Sequence, residues 1–454
     1  MTHAMRTRHL RNKLVAVPAL LFLAVGLLCA SSLPARAALD VESWTTDNGA
    51  RVLFLQTDNL PILDVSVQFP AGAARDLPGK QGLASMTLSL MNKGTRSLDE
   101  NQISERLAGV GAELSGNFDL DRSGFELRTL SDVDARSTAL GVLREVLAAP
   151  SFPQPVLDRE KARRIDFIKE RATRPGFIVE QAFQKALYGS HPYADSGSGD
   201  PQSVSAISRD DLVTFHQRYF VSDEAVVTIV GDVSQADARR IASELTADLP
   251  RASKPLPALP EVPALTENKE EVIAHSASQA HIRIGMIGVR RGDPDYFPLW
   301  IGVQILGGGG MTSLLNDELR EKRGLTYGVY GYLSPYSRRG PFEIELQTRM
   351  DQAWKALDVT RTTLEKYLAD GPTEQQLKAA KQYIVGGFGL NIDSNAELVG
   401  YLAMIGFYRL PLDYMNRFPD EIEKVSLAQV RDALRRRFLP SKTVTVVVGP
   451  AARP

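Results

Sequence analysis

Apolar positions first fall into short alternating runs. After the turn signal Asp47-Asn48-Gly49, residues 52–55 are continuously apolar, and Val65, Val67 and Phe69 recur at every second position of 63–69. That pattern predicts a pair of strands. The period then lengthens. Residues 82–93 (GLASMTLSLMNK) and 98–110 read as helices, the second opening at Asp99, and 114–128 alternates around polar and glycine positions as two further strands would. Helical spacing returns at 135–147, 156–173 and 179–188.

One segment occurs twice. Residues 207–231, ISRDDLVTFHQRYFVSDEAVVTIVG, lie on 425–449, VSLAQVRDALRRRFLPSKTVTVVVG, without a gap. Ser208 falls on Ser426, Arg218 on Arg436, Phe220 on Phe438, Val226 on Val444 and Gly231 on Gly449. Each copy is a helix, a basic-aromatic exit and a β-branched strand ending in glycine. An internal duplication explains this shared register better than the general likeness of helix-then-strand units. Between the copies, residues 251–270 (RASKPLPALPEVPALTENKE) hold four prolines, which exclude a helix or central strand and predict a linker. The expected architecture is α+β, with two homologous repeats, 38–250 and 271–454. Each would be an antiparallel-rich sheet packed with helices.

Residues 306–332, LGGGGMTSLLNDELREKRGLTYGVYGY, carry the densest local signals. Gly307, Gly308, Gly309 and Gly310 permit positive φ and close backbone approach. Thr312 or Ser313 is placed to cap a short helix bearing Leu314, Leu315 and Leu319, and Gly324 to end it. Arg320 then stands in the last helical turn and Tyr327 at the start of a strand, where the two side chains can converge. Taken alone, Arg320 reads as a helix C-terminal cation worth ~0.3–1 kcal/mol, and Tyr327 as a core aromatic.

Charge and composition narrow the address. Arg6, Arg8, Arg11 and Lys13 precede an apolar run at 14–30, and Ala35-Arg36-Ala37 offers the small residues of a cleavage site. A signal peptide over 1–37 is expected. The alternative is an uncleaved anchor, but the run is near the lower limit for a bilayer span and Pro18 interrupts it. Cys29 is the sole cysteine and would leave with the signal, which fits an oxidising compartment and excludes cysteine nucleophiles and cysteine metal sites. A bacterial periplasm is expected ahead of full secretion. Without 1–37 the chain keeps 48 Lys+Arg against 54 Asp+Glu, a net charge of −6. No basic stripe remains, so nucleic acid is excluded as a partner, and no second apolar run is long enough for a stable membrane span.

Elementary chemistry then finds little. Of the histidines beyond residue 37, His191, His216, His275 and His281, no two have the helical spacing that brings two imidazoles to one metal. His191, Asp195 and Ser196 crowd one loop without a Gly-x-Ser-x-Gly elbow, a poor basis for a hydrolase triad. The glycine run lacks the Gly-Lys-Ser/Thr ending of a phosphate loop.

Three stretches nevertheless resemble one family. GLASMTLSLMNKGT at 82–95, HPYADSGSGDPQSVSAISRDDL at 191–212 and the 307–327 segment ending LREKRGLTY are similar to the insulinase/pitrilysin zinc peptidases, in their short two-repeat branch that includes the mitochondrial processing peptidase. The resemblance implies half of a clamshell chamber. In active members the first stretch holds His-x-x-Glu-His, whose imidazoles bind zinc while the glutamate activates the zinc-bound water. Here those positions are Ser85, Leu88 and Ser89, and the third ligand position falls at Asp166 or Phe167. The chain itself is therefore expected to bind no metal cofactor. The family's arginine–tyrosine pair, which holds substrate and stabilises the tetrahedral intermediate, is matched by Arg320 and Tyr327. The resemblance thus implies a non-catalytic subunit. It would lend Arg320 and Tyr327 in trans to a homologous His-x-x-Glu-His partner that carries the zinc, with a peptide as substrate and the four glycines as a close-approach loop toward that partner. A purely structural pseudopeptidase, or a peptidase with a non-standard metal site, are the alternatives.

Overall fold

The computed structural model describes residues 39–450, and the expected signal peptide lies outside the described residues. Residues from Asp40 onward form one compact unit. Its first half holds a six-stranded sheet of β1 (Glu42–Thr45), β2 (Arg51–Gln56), β3 (Ile62–Phe69), β4 (Glu113–Phe118), β5 (Ser123–Leu130) and β6 (Val226–Gly231). The second half holds β7 (Lys269–Ala274), β8 (Gln279–Ile287), β9 (Thr326–Leu333), β10 (Pro341–Arg349) and β11 (Val444–Gly449). Their orders are β1-β2-β6-β3-β5-β4 and β7-β11-β8-β10-β9.

Apart from β1, the two orders are one pattern written twice. The pair β2–β6 is parallel, as is β7–β11, and every other pairing is antiparallel. The sequence alignment survives in the coordinates. The helices Arg209–Tyr219 and Leu427–Arg437 are both opened by a serine capping box, from Ser208 and Ser426. Both strands that follow end at a glycine of positive φ, Gly231 at 147° and Gly449 at 142°. The fold is α+β with two repeat halves, as the pattern predicts.

The halves are bound together by an exchange of helices. In β2, Val52 and Phe54 face a core made by the first half's own helices, among them Leu83–Met91 and Val133–Ala148. By alternation Leu53 faces the other way, and there the sheet is covered by Asn395–Phe407, a helix of the second half. A Cβ on Gly406 would come within 2.7 Å of Leu53 and 2.6 Å of Val226, so the helix backbone lies directly on the strands. The reciprocal helix, Pro175–Tyr188, lays Val179, Phe183 and Leu187 against Val444, Val446 and Val448 of the second sheet. This double covering explains why β2 and β6 read as continuous apolar runs.

A buried carboxylate reinforces the junction. Asp121, in the β4–β5 turn and 3% exposed, accepts hydrogen bonds from the Tyr193 hydroxyl, the Tyr408 hydroxyl (2.9 Å) and the Ser337 amide (2.7 Å). The connection between the halves is also less free than its composition suggests. Carbonyls of Lys254, Pro255 and Leu259 accept from Arg218 and Arg338, and the Pro260 carbonyl from His191. Val262 is buried, and β7 begins at Lys269, so its first two residues fall inside the expected linker.

Candidate functional site

The helix Leu83–Met91 carries the positions of the zinc motif. Its first turn is held by Asp76, whose carboxylate accepts from the amides of Gly82 and Ala84, both at 2.7 Å. Burial pushes this carboxyl up to about 7 despite those two bonds. Ser85 Oγ lies 2.7 Å from the Gly197 carbonyl and 3.1 Å from that of Gly82, and it accepts from Arg164 Nη1 at 3.0 Å. Leu88 is buried against the edge strand β4, where a Cβ on Gly116 would come within 3.2 Å of its Cδ2. Ser89 is exposed and returns its hydroxyl to the Met86 carbonyl at 3.0 Å.

These residues form one wall of a cleft of about 690 Å³. The opposite wall is the helix Gln154–Arg171, which presents Glu160, Arg164, Phe167, Ile168 and Arg171 at helical spacing. Of the two positions left open for the third zinc ligand, Phe167 lines the cleft and Asp166 does not. The donor set does not fit zinc. Two hydroxyls engaged with carbonyls, a leucine and a phenyl ring offer neither imidazole nor carboxylate. A guanidinium bonded to Ser85 also sets a positive charge beside the first of these positions, which disfavours a divalent ion there. Among the described residues, no group of three or more His, Cys, Asp or Glu side chains is arranged to hold a metal.

The second candidate region is built differently from its sequence expectation. The helix Tyr296–Val303 runs on through a wide turn at Gln304–Gly308, closed by the Gly309 amide on the Gln304 carbonyl at 2.7 Å. The short helix Leu314–Asn316 widens again at Asp317–Glu321, where the Lys322 amide bonds the Asp317 carbonyl. Neither predicted cap operates. Ser313 stands at the N-terminal position, but its hydroxyl bonds the Gly310 carbonyl, and that of Thr312 bonds Gly309. Gly324 ends the helix at φ 59° as expected. The glycine run has tasks inside its own chain. A Cβ on Gly307 would come within 2.7 Å of the Gly331 backbone nitrogen in β9, one on Gly308 within 2.3 Å of Gln304 Oε1, and one on Gly309 within 3.0 Å of the Gln304 carbonyl oxygen. Gly310 takes φ 58°.

Arg320 lies in the second wide turn. Its guanidinium is 37% exposed, touches Met311 Sδ and is 3.7 Å from Glu321. Tyr327 is the second residue of β9, the edge strand, and is 88% exposed rather than the core aromatic that the residues alone suggest. A bulge causes this. Val329 pairs with Leu346 but Thr326 with Thr348, so Tyr327 and Gly328 stand opposite the single residue Gln347. Val329 and Gly331 point inward, and simple alternation would bury Tyr327 with them. Thr326, which sequence reasoning passed over, holds the bulge through its hydroxyl, and no pattern in the sequence marks it. Neither Arg320 nor Tyr327 lines the cleft at Ser85.

The rejected triad stays apart. His191 Nδ1 accepts from the Tyr193 amide at 3.0 Å while Nε2 meets the Pro260 carbonyl at 3.1 Å, and Ser196 turns to Ser198 at 3.3 Å. Burial holds the His191 ring below its usual pKa, so both nitrogens serve the backbone in a neutral imidazole.

A duplicated α+β chain with Ser85, Leu88 and Ser89 at the zinc-motif positions of its helix defines a homologue of the peptidases that carry that motif. The model of insulinase (peptidase family M16) matches residues 51–199, and that of the peptidase M16 inactive domain matches 206–384. A crystal structure described as a peptidase M16 inactive domain from Pseudomonas fluorescens is 36% identical with a TM-score of 0.87, covering 91% of this chain and 98% of that one. The uncharacterized zinc protease YmxG of Bacillus subtilis is 24% identical over 90% of this chain and 98% of its own. The non-peptidase homolog YmxG of Helicobacter pylori is 22% identical over 86% and 89%. The chain belongs to the insulinase, or M16 peptidase, family.

Proposed function

We propose that this chain is the non-catalytic subunit of an exported, periplasmic zinc peptidase. It pairs with a homologue that bears His-x-x-Glu-His and the zinc, and it supplies Arg320 and Tyr327 to that partner's active site. The contrast between the two halves carries this reading. The first half holds Ser85, Leu88, Ser89 and Phe167 where a metal would need ligands. The second keeps a guanidinium and a phenol, groups suited to a developing oxyanion, with the phenol turned fully to solvent. Among the described residues no hydrogen-bond partner for the Tyr327 hydroxyl is present. Tyr330 and Tyr332 extend the exposed aromatic surface along the same edge strand, as a protein interface would require.

The test is reconstitution. The chain is co-expressed with a His-x-x-Glu-His homologue from the same organism, and complex formation and peptide hydrolysis are measured for each chain and for the pair. A stable pair with zinc in the partner and activity beyond either chain alone supports the reading. Stoichiometric zinc and hydrolysis by this chain alone would overturn it, and so would the absence of any complex.

A further inference from the structure

We infer that the cleft between Ser85 and Arg171 is a binding site for the carboxylate of a peptide. The cations around it divide into two kinds. Lys93 is paired with Glu100 at 2.8 Å, and Arg163 with Glu160 at 3.0 Å, a carboxylate also bonded to Arg159. Arg164 and Arg171 have no carboxylate within ion-pair distance among the described residues. Arg164 reaches only the Ser85 hydroxyl, and its deep position lowers its pKa through desolvation. The carboxyls that act on it are Asp76, whose own burial favours the neutral form, and, more weakly, Glu160, which is paired with Arg159 and Arg163. Arg171 is held between rings, its guanidinium carbon 4.3 Å from the Phe177 centroid and 5.4 Å from that of Phe167. These ring contacts restrain the guanidinium without using its N–H donors.

Desolvated guanidinium charge is costly without an anion. Arg164 and Arg171 stand seven residues apart on one helix face, two turns along the same wall. A carboxylate entering the cleft would accept charge-assisted bonds from either guanidinium. The cleft has room for a short peptide segment beyond the anion. It also borders β4, the last strand of its sheet, whose outer edge keeps its backbone groups unpaired. The site thus keeps a positive centre where the family keeps a metal, and it would bind a chain rather than cut it. This inference does not depend on the proposed partner.

The purified full chain is titrated by fluorescence anisotropy with three labelled peptides of neutral sequence. One ends in a free carboxylate, one is amidated, and one is amidated with an internal glutamate. The carboxylate-bearing peptides should bind at least about tenfold tighter than the neutral amidated one, and the preference should weaken at high salt. Preference for the free terminus identifies a C-terminal ligand, and preference for the glutamate peptide an acidic side chain. Arg164→Gln combined with Arg171→Gln should abolish the difference in a protein that retains its circular dichroism. Equal affinity for charged and neutral peptides, no binding of any, or unchanged discrimination by the folded double variant each overturns the inference. The wild-type comparison alone decides the matter if the variant does not fold.

Discussion

The Thr326 hydroxyl oxygen accepts the Gly328 amide at 3.1 Å and lies 2.6 Å from the Gln347 carbonyl, so it ties both sides of the β9 bulge together. A third contact, to the Gly328 carbonyl at 2.7 Å, competes for the single hydroxyl proton. Valine at this position keeps the shape and removes every one of these bonds. Thr326→Val should cost about 1–2 kcal/mol in urea unfolding and release Tyr327 from its outward setting. If Tyr327 acts on the partner's substrate, the same variant should lower kcat of the reconstituted pair by about tenfold or more. A variant that loses stability but keeps full kcat would separate the bulge from function.

Tyr327→Phe removes one oxygen from a side chain that packs against almost nothing, so thermal stability should not change. In the reconstituted pair kcat should fall by ~10²–10³, the scale for losing one oxyanion donor, with KM and assembly little altered. Stopped assays on the purified pair check this, and unchanged turnover would count against the proposed trans role.

Asp121→Ala should be severe. It leaves the hydroxyls of Tyr193 and Tyr408 and the Ser337 amide facing an empty space where a carboxylate stood. The expected loss is about 3 kcal/mol or more, read as a lower urea midpoint. The unfolding transition should stay single, because the two halves share one packed body.

Two buried groups drive stability in opposite directions with pH. His216 bonds the Leu147 carbonyl at 2.8 Å and is pushed down to about 4 by burial. Its unfolded pKa is about 6.5, so its contribution is full above that value and is lost as pH falls toward 4. Asp76 is pushed up to about 7, so its contribution is full below its unfolded value of about 3.9 and is lost as pH rises to 7. Between roughly pH 4 and 6.5 the slopes, each up to ~1.4 kcal/mol per unit, nearly cancel. Asp76→Asn should therefore expose a stability that falls on acidification, and His216→Gln one that rises. Urea unfolding at several pH values checks this, and parallel pH profiles for wild type and both variants would falsify it.

Rebuilding the metal centre tests the role of Arg164. Ser85→His, Ser89→His and Phe167→Glu together restore a zinc donor set, but the guanidinium beside position 85 opposes the ion. Adding Arg164→Gln should raise zinc affinity by at least about tenfold, measured by competition with a chromogenic chelator. Equal affinities would mean that the guanidinium stands clear of the metal position.

The duplication and most elements were legible because they rest on local patterns. A serine-capped helix and a β-branched strand ending in glycine look the same wherever they stand, so 207–231 lies on 425–449 by sequence alone. The blank at Ser85, Leu88 and Ser89 was equally plain once the motif had been matched. What the pattern could not carry is non-local. An apolar helix face does not say which sheet it will cover, so the exchange of Pro175–Tyr188 for Asn395–Phe407 was invisible. Tyr327 follows the alternation of β9 in sequence, and only the extra residue opposite Gln347 reverses it. No local pattern marked Arg164, because its bond to Ser85 depends on two segments seventy-nine residues apart.

The exchanged helices also set an order of events during folding. The first sheet is complete in sequence at Gly231, yet the helix that covers Leu53 and Val226 ends only at Phe407. Until the second half is folded, the first holds a finished strand order with one apolar face bare. Such a chain cannot fold from its beginning toward its end as two successive domains. Its first sheet stays prone to aggregation until nearly all of the chain is in place.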